Sequence, residues 1–264
     1  PLQRIVKKIE QVGTGDFETK LENYNILEFQ QISDSFNEMT VRIETLIKEV
    51  YETQLLVKEA RLQYLQAQIN PHFMFNVLTM IAIKVKKHRD EELYQTVTSF
   101  AGLMRGKLFR RNEVEIKLKE EMEIAGFYLY LQSERFKDII TYNIEWESDE
   151  IKECYVPRLC IEPIVENAVI HGLEPKGTEG RIRVAIREAS EDSINIVVED
   201  DGVGFNVNEM DDRKDNKNPR VGVMNIQRLI RNLYGDKYGV LFQSEIGKGT
   251  IVTVCLPMRK DRTV

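Results

Sequence analysis

Two side chains in this sequence are placed to do chemistry together: Asn167, within Glu166-Asn167-Ala168, and Asp200, which opens Asp200-Asp201-Gly202-Val203-Gly204. An amide oxygen on a helix can ligate Mg²⁺, a hard cation that takes oxygen ligands and bridges phosphates. A carboxylate at the end of a strand can accept a hydrogen bond from the amino group of adenine. Glycines beside it carry no side chain, so a purine can lie against the backbone. Further glycines follow in Arg220-Val221-Gly222-Val223-Met224-Asn225 and in Gly247-Lys248-Gly249-Thr250. The first of these opens a helix, whose N-terminal N–H groups can hold phosphate oxygens. In this order the pieces predict a pocket for Mg-ATP.

Each piece also has a plainer explanation. Asn167 among Val165, Ala168 and Val169 could be a structural amide satisfied by neighbouring backbone, and an acid pair before glycines could be a turn. Asn167 and His171 stand four apart and share a helical face. Residues 206–219 are polar, charged and without period, which suits a flexible lid over a nucleotide or a loop with no role. There is no Gly-x-x-x-x-Gly-Lys-[Ser/Thr] loop and no His-Arg-Asp catalytic loop, so the pocket is of another kind.

The elements that must carry these residues follow from periodicity. Phe29, Ile32, Phe36, Met39, Ile43, Leu46, Val50, Thr53, Val57, Ala60, Tyr64 and Ala67 step by threes and fours, with Thr53 alone breaking the apolar rule. That heptad predicts a helix of roughly 58 Å with a seam for a partner, hence a homodimer. A shorter heptad, Leu2, Ile5, Ile9 and Val12, precedes a break at Gly13-Thr14-Gly15-Asp16. Helix, extended connector and helix would make a four-helix bundle in a parallel dimer. Pro71 interrupts the pattern. Helices are expected over 72–85, 91–108 and 118–136, then over 157–172 and 221–234. Period-two runs predict strands at Tyr142-Ile144-Trp146, Ile182-Val184-Ile186, Ile194-Ile196-Val198, Val240-Phe242 and Val252-Val254-Leu256. The fold class is α+β: N-terminal helices, then an α/β sandwich of one mixed sheet covered by helices on one face.

Composition narrows the function. A net charge of −6 over 264 residues argues against a nucleic-acid-binding surface. The three cysteines have no zinc-like spacing and suit packed thiols. No run of 18 apolar residues and no signal peptide is present. The chain starts at Pro1, which raises the expectation of a fragment.

The residues resemble a known set. Asn167 resembles the N box, Asp200-x-Gly202-x-Gly204 the first G box, and Gly222 with Gly247-x-Gly249-Thr250 the later G boxes of the superfamily of gyrase, Hsp90, MutL and histidine kinases. Gln66-Ala67-Gln68-Ile69-Asn70-Pro71-His72-Phe73-Met74-Phe75-Asn76 looks like the H box of the YesM/LytS-type sensor histidine kinases, as do Glu134-Arg135-Phe136 and Glu162-Pro163-x-x-Glu166-Asn167-Ala168. The first 55 residues look like a HAMP linker. The resemblance implies a HAMP linker at 1–55, dimerisation and phosphotransfer helices at 56–137, and a Bergerat-type (GHKL) ATP-binding domain at 138–264. It implies a protein histidine kinase in which His72 takes the γ-phosphoryl of Mg-ATP, Asn76 orients the ring, and a response-regulator receiver aspartate is the next acceptor. Binding residues would be Asn167 (with Mg²⁺), His171, Lys176, Asp200, Gly202, Gly204, Gly222, Gly247, Gly249 and Thr250. The chain would lie at the cytoplasmic face of a membrane, anchored by segments before Pro1.

Departures leave alternatives open. Ile170 stands where many relatives carry lysine, so His171 or Lys176 would serve there, or the contact is missing. Arg220 replaces a usual glycine, and Phe73 replaces an acid that could act as base. A nucleotide-binding pseudokinase scaffold is the competing reading. A clamping ATPase of the same superfamily is disfavoured by His72.

Overall fold

The computed structural model describes residues 2–14, 16–17, 20–67, 71–108, 113–137, 139–190, 192–206 and 219–262. The chain divides into two units, Pro1–Asn70 and Pro71–Val264.

The first unit is two helices and a connector: α1 (Leu2–Gly13) and α2 (Leu27–Ala67). Ile5, Leu21 and Phe36 form its small core, with Val12, Tyr24 and Phe29 packed against it. The connector is fastened to α2 by polar side chains. Asn37 accepts from the Leu21 N–H at 2.8 Å and donates to the Leu21 carbonyl at 3.0 Å. Ser33 donates to the Glu22 carbonyl, and Gln30 accepts from the Tyr24 N–H. Backbone that cannot join a helix or sheet still needs partners, and these side chains supply them. The seam beyond is uncovered: Ile32, Met39, Leu46, Val50 and Val57 are 43–61% exposed. A single helix cannot bury such a stripe, which favours the expected partner helix.

The second unit begins with an antiparallel pair, α3 (Pro71–Lys87) and α4 (Glu91–Leu108). Then come β1 (Glu115–Lys117), α5 (Leu118–Arg135), β2 (Ile140–Trp146), β3 (Tyr155–Pro157) and α6 (Glu162–Asn167). A single π-helical turn, Ala168–Leu173, continues α6. β4 (Gly180–Ser190), β5 (Ser193–Asp200), α7 (Pro219–Tyr234), β6 (Gly239–Glu245) and β7 (Gly249–Pro257) complete the chain. The sheet order is β2-β4-β5-β7-β6, with β2 and β4 parallel and the other pairs antiparallel. Ile182, Val184 and Ile186 of β4, Ile194, Ile196 and Val198 of β5, and Val254 and Leu256 of β7 are almost fully buried beneath the helices. This is the expected mixed sheet covered on one face.

Two local expectations are corrected. The helix expected over 157–172 starts at Glu162, because Tyr155–Pro157 pairs with β1 as a two-stranded ribbon and Leu159 turns left-handed at φ +54°. Its far end is π rather than α. β1 and β3 carry three residues each, too few to show a period.

The Asn37 clamp can be tested directly. Asn37→Ala leaves the Leu21 N–H and C=O without it, and exchange of the Leu21 amide in the whole chain is expected to rise by roughly tenfold or more. Hydrogen-exchange mass spectrometry reads this; an unchanged rate would show that the connector is held by its apolar contacts instead.

Candidate functional site

The site is built where α6 ends against the exit of β5. Pro163 is tolerated near the start of α6, where an N–H would lack an intrahelical partner in any case. Asn167 is the last residue of α6. The π turn after it carries His171 and Gly172; such single turns occur often at functional sites. The Gly172 carbonyl accepts from the Val203 N–H at 3.0 Å, which docks this turn on the loop leaving β5.

Asp200 is the last residue of β5 and lies between Ile182 of β4 and Thr250 of β7 in register. Its Oδ1 accepts from the Gly202 N–H at 2.9 Å, and the Thr250 N–H also reaches the carboxylate. Burial pushes its pKa up to about 6, with neighbouring Asp201 adding to the rise; the two N–H groups and Lys176 pull the other way. At neutral pH it is therefore mostly an ionised acceptor held out of water.

The glycines are required by close approach. A Cβ on Gly202 would stand 2.3–2.5 Å from backbone atoms of Gly172. Gly204 has φ +60°, and a Cβ there would meet the Glu245 carbonyl at 2.0 Å. The Gly247 N–H donates to the Val203 carbonyl at 2.7 Å, tying the β6–β7 turn to the same loop. Ser244 joins them: its Oγ accepts from the Phe205 N–H, donates to the Gly249 carbonyl and lies 2.9 Å from Thr250 Oγ1. Gly222 stands in α7 opposite Asn167, at a distance where an added Cβ would lie 3.4 Å from its Nδ2.

These elements enclose a cleft of about 590 Å³, counting the part open to solvent. Asn167, His171, Asp200, Gly204 and Thr250 line it, with Ile164, Val198, Phe205, Phe242 and Val252 as apolar walls. Its mix of apolar lining with a few convergent polar groups suits a small ligand. An apolar slot with one buried carboxylate at its end fits a flat heterocycle carrying an amino group. Asn167, half-buried in the lining, offers an amide oxygen, and Mg²⁺ commonly uses one or two protein ligands beside substrate phosphates.

Other expected site residues fall elsewhere. Gly202 and Gly249 support Asp200 from outside the lining. Lys176 is not in the cleft wall: its Nζ pairs with Asp201 at 3.0 Å, and Asp201 also accepts from the Arg181 N–H. Ile170 is also absent from the lining. His72 occupies the second position of α3 and its side chain lies outside the described residues; Asn76 follows one turn later. Asn76 is not among the residues that line the cleft. Most of the expected lid, 207–218, lies outside the described residues, as do the side chain of Arg220 and residue Gly15 of the connector. Ser244 went unnoticed in the sequence, since one serine in an edge strand carries no signal.

Comparison with known proteins accords with the geometry. Residues 157–260 match the family described as histidine kinase-, DNA gyrase B-, and HSP90-like ATPase. Residues 60–140 match the histidine kinase family and residues 1–45 the HAMP domain. The chain is 30% identical over 267 residues to the sensor histidine kinase YesM of Bacillus subtilis, covering 99% of this chain and 45% of that protein. It is 29% identical to the sensor histidine kinase YpdA of Escherichia coli, covering 78% of this chain and 37% of that one. The sensor protein LytS of Oceanobacillus iheyensis is 28% identical, with 82% and 37% covered. The chain thus spans less than half the length of these relatives. A domain of the matched ATPase type implies ATP binding.

Two outcomes are expected of this site. Gly202→Ala drives a methyl group into the Gly172 backbone, which cannot yield as a flexible side chain would; ATP affinity measured by calorimetry should fall by roughly tenfold or more. Asp200 has a folded pKa above the ordinary value of about 3.9, so its contribution to stability is complete below about pH 4 and is lost as pH rises through about 6. Asp200→Asn should therefore flatten the fall in melting temperature between pH 4 and 6.5; an identical slope would contradict the burial of this charge.

Proposed function

Since the chain belongs to the sensor histidine kinase family, we propose that it transfers the γ-phosphoryl group of Mg-ATP to its own His72 and then to an aspartate of a response-regulator receiver domain. The observation that carries this reading is the single cleft in which Asn167, His171, Asp200, Gly204 and Thr250 meet.

The roles follow from the chemistry. Asp200 accepts from the adenine amino group, and Val198, Phe205, Phe242 and Val252 hold the ring by apolar contact. Asn167 lends its amide oxygen to Mg²⁺, which neutralises charge on the phosphates. His171 and the first turn of α7, with Gly222, face the phosphate end. A ring nitrogen of neutral His72 attacks the γ-phosphorus; the bond to the β,γ-bridging oxygen breaks and its electron pair leaves with ADP, while the imidazole sheds its proton to solvent or a base. Asn76, a turn further along α3, orients the ring.

The proposed domains are a HAMP linker at 1–55, dimerisation and phosphotransfer helices at 56–137, and the ATP-binding domain at 138–264. The uncovered seam of α2 supports a homodimer. No helix among the described residues is long and apolar enough to cross a membrane, and we assign the anchor to segments outside this chain, with this portion at the cytoplasmic face. The scaffold alternative drew weight from Ile170 and Arg220; the Ile170 side chain stands off the cleft wall, and that of Arg220 lies outside the described residues.

Incubation with radiolabelled ATP and Mg²⁺ tests the proposal. Label should be acid-labile and alkali-stable, should vanish in His72→Ala, and should be lost in Asn167→Asp and Asp200→Asn while the dimer stays folded. Nucleotide uptake without label would favour the scaffold.

A further inference from the structure

The entrance of α6 is held by a residue outside the nucleotide cleft. Glu121, in the first turn of α5, is fully buried. Its Oε2 accepts from the Leu159 N–H and its Oε1 from the Ile161 N–H, each at 2.9 Å. The Glu162 N–H also reaches this carboxylate.

Those bonds account for the whole start of α6. The first N–H groups of a helix lack intrahelical partners. Here Ile161 gives its N–H to Glu121, the Glu162 N–H lies near the same carboxylate, Pro163 has none to give, and the Ile164 and Val165 N–H groups reach the Ile161 carbonyl. Ile161 at the cap position has no side-chain bond of its own. Ile161, Glu162 and Ile164 are almost fully buried, so water is a poor substitute. Leu159 adopts a left-handed conformation that a branched side chain rarely takes, and in that conformation its N–H meets Glu121. Beside it, Lys107 in the last turn of α4 pairs with buried Glu162 at 2.8 Å. Two other helices, α4 and α5, thus converge on the start of a helix of only six residues, with Asn167 at its other end, about 9 Å along the axis.

We propose that Glu121 is a positioning residue for the metal-nucleotide site: its carboxylate fixes the entrance of α6 and thereby the place of Asn167. The inference rests on the proposed function, because it gives Asn167 a task. Glu121 itself touches neither nucleotide nor metal; its effect passes through α6. Asp200 is anchored mainly elsewhere, by β5, the Gly202 N–H and β7, and meets the continuation of α6 only at Gly172. The two halves of the ligand should therefore respond differently: phosphate and metal binding depends on Glu121, and adenine binding does not.

Calorimetry on the full chain separates them, with ATP in Mg²⁺, ATP in EDTA, and adenosine as probes. Glu121→Gln keeps the shape, yet it has one acceptor oxygen and turns an NH₂ towards a backbone donor. Loss of an outer-shell partner typically costs 10- to 100-fold in metal affinity. The gain in ATP affinity that Mg²⁺ confers should fall by about tenfold in this variant, while adenosine affinity stays within about twofold. Glu121→Asp retains the charge on a shorter stem and should recover part of the gain. A Mg²⁺-conferred gain equal to that of the unaltered chain, in folded Glu121→Gln or, if that variant does not fold, in Glu121→Asp, would overturn the positioning role. So would an equal loss of adenosine binding, which marks general damage. Absence of ATP uptake by the unaltered chain would overturn the proposed function and this inference with it.

Discussion

A carboxylate held at the buried end of a central strand is the constraint around which the second unit is organised. Removing a charge from water costs several kcal/mol unless donors meet it. Asp200 is met by the Gly202 and Thr250 N–H groups, one from its own loop and one from the neighbouring strand. To bring the loop back that tightly, Gly202 must lie against the Gly172 backbone, with no room for a side chain on either. The same approach lets Gly172 accept from Val203, and Val203 in turn accepts from Gly247. The end of α6, the exit of β5 and the β6–β7 turn are thus one hydrogen-bonded corner. The cleft is the space left above it.

Much of this corner was legible in the sequence because glycine and aspartate are chosen there by backbone geometry. The order Asn167, Asp200-x-Gly202-x-Gly204, Gly222, Gly249-Thr250 survives as proximity in space. The long strands were legible because one face of each is buried: Ile194, Ile196 and Val198 alternate with residues that face outward. The heptad of α2 was legible as an apolar stripe of period 3.5, although this single chain leaves most of that stripe uncovered.

What stayed hidden depends on contacts between residues far apart in sequence. The ribbon of β1 and β3 exists through pairing across some forty positions, and three residues carry no period. Nothing in Arg158-Leu159-Cys160 announces a left-handed leucine; its reason is Glu121, on another helix. The π turn likewise answers to a neighbour, since Gly172 must reach Val203 while Asn167 and His171 keep their side chains in the cleft. Lys176 went the other way. The family resemblance, with Ile170 in place of a usual lysine, made it a candidate for phosphate, whereas Asp201, brought close by the fold, pairs with it.

The choice of an amide rather than a carboxylate at 167 has an electrostatic logic. Glu162 and Glu166 precede it on the same short helix, and Lys107 is shared between them, at 2.8 Å from the first and 3.9 Å from the second. A third acid at 167 would add a like charge to an end of the cleft that must also accept phosphates. A neutral oxygen avoids that repulsion but binds a dication weakly on its own, and among the described residues no cluster of three acidic, histidine or cysteine side chains is arranged to hold a metal. On the proposed reading, Asn167 would hold Mg²⁺ together with phosphate oxygens, which would supply much of its ligand set. Asn167 then recognises the metal-nucleotide complex as a unit, and its value depends on where α6 holds it, not on charge.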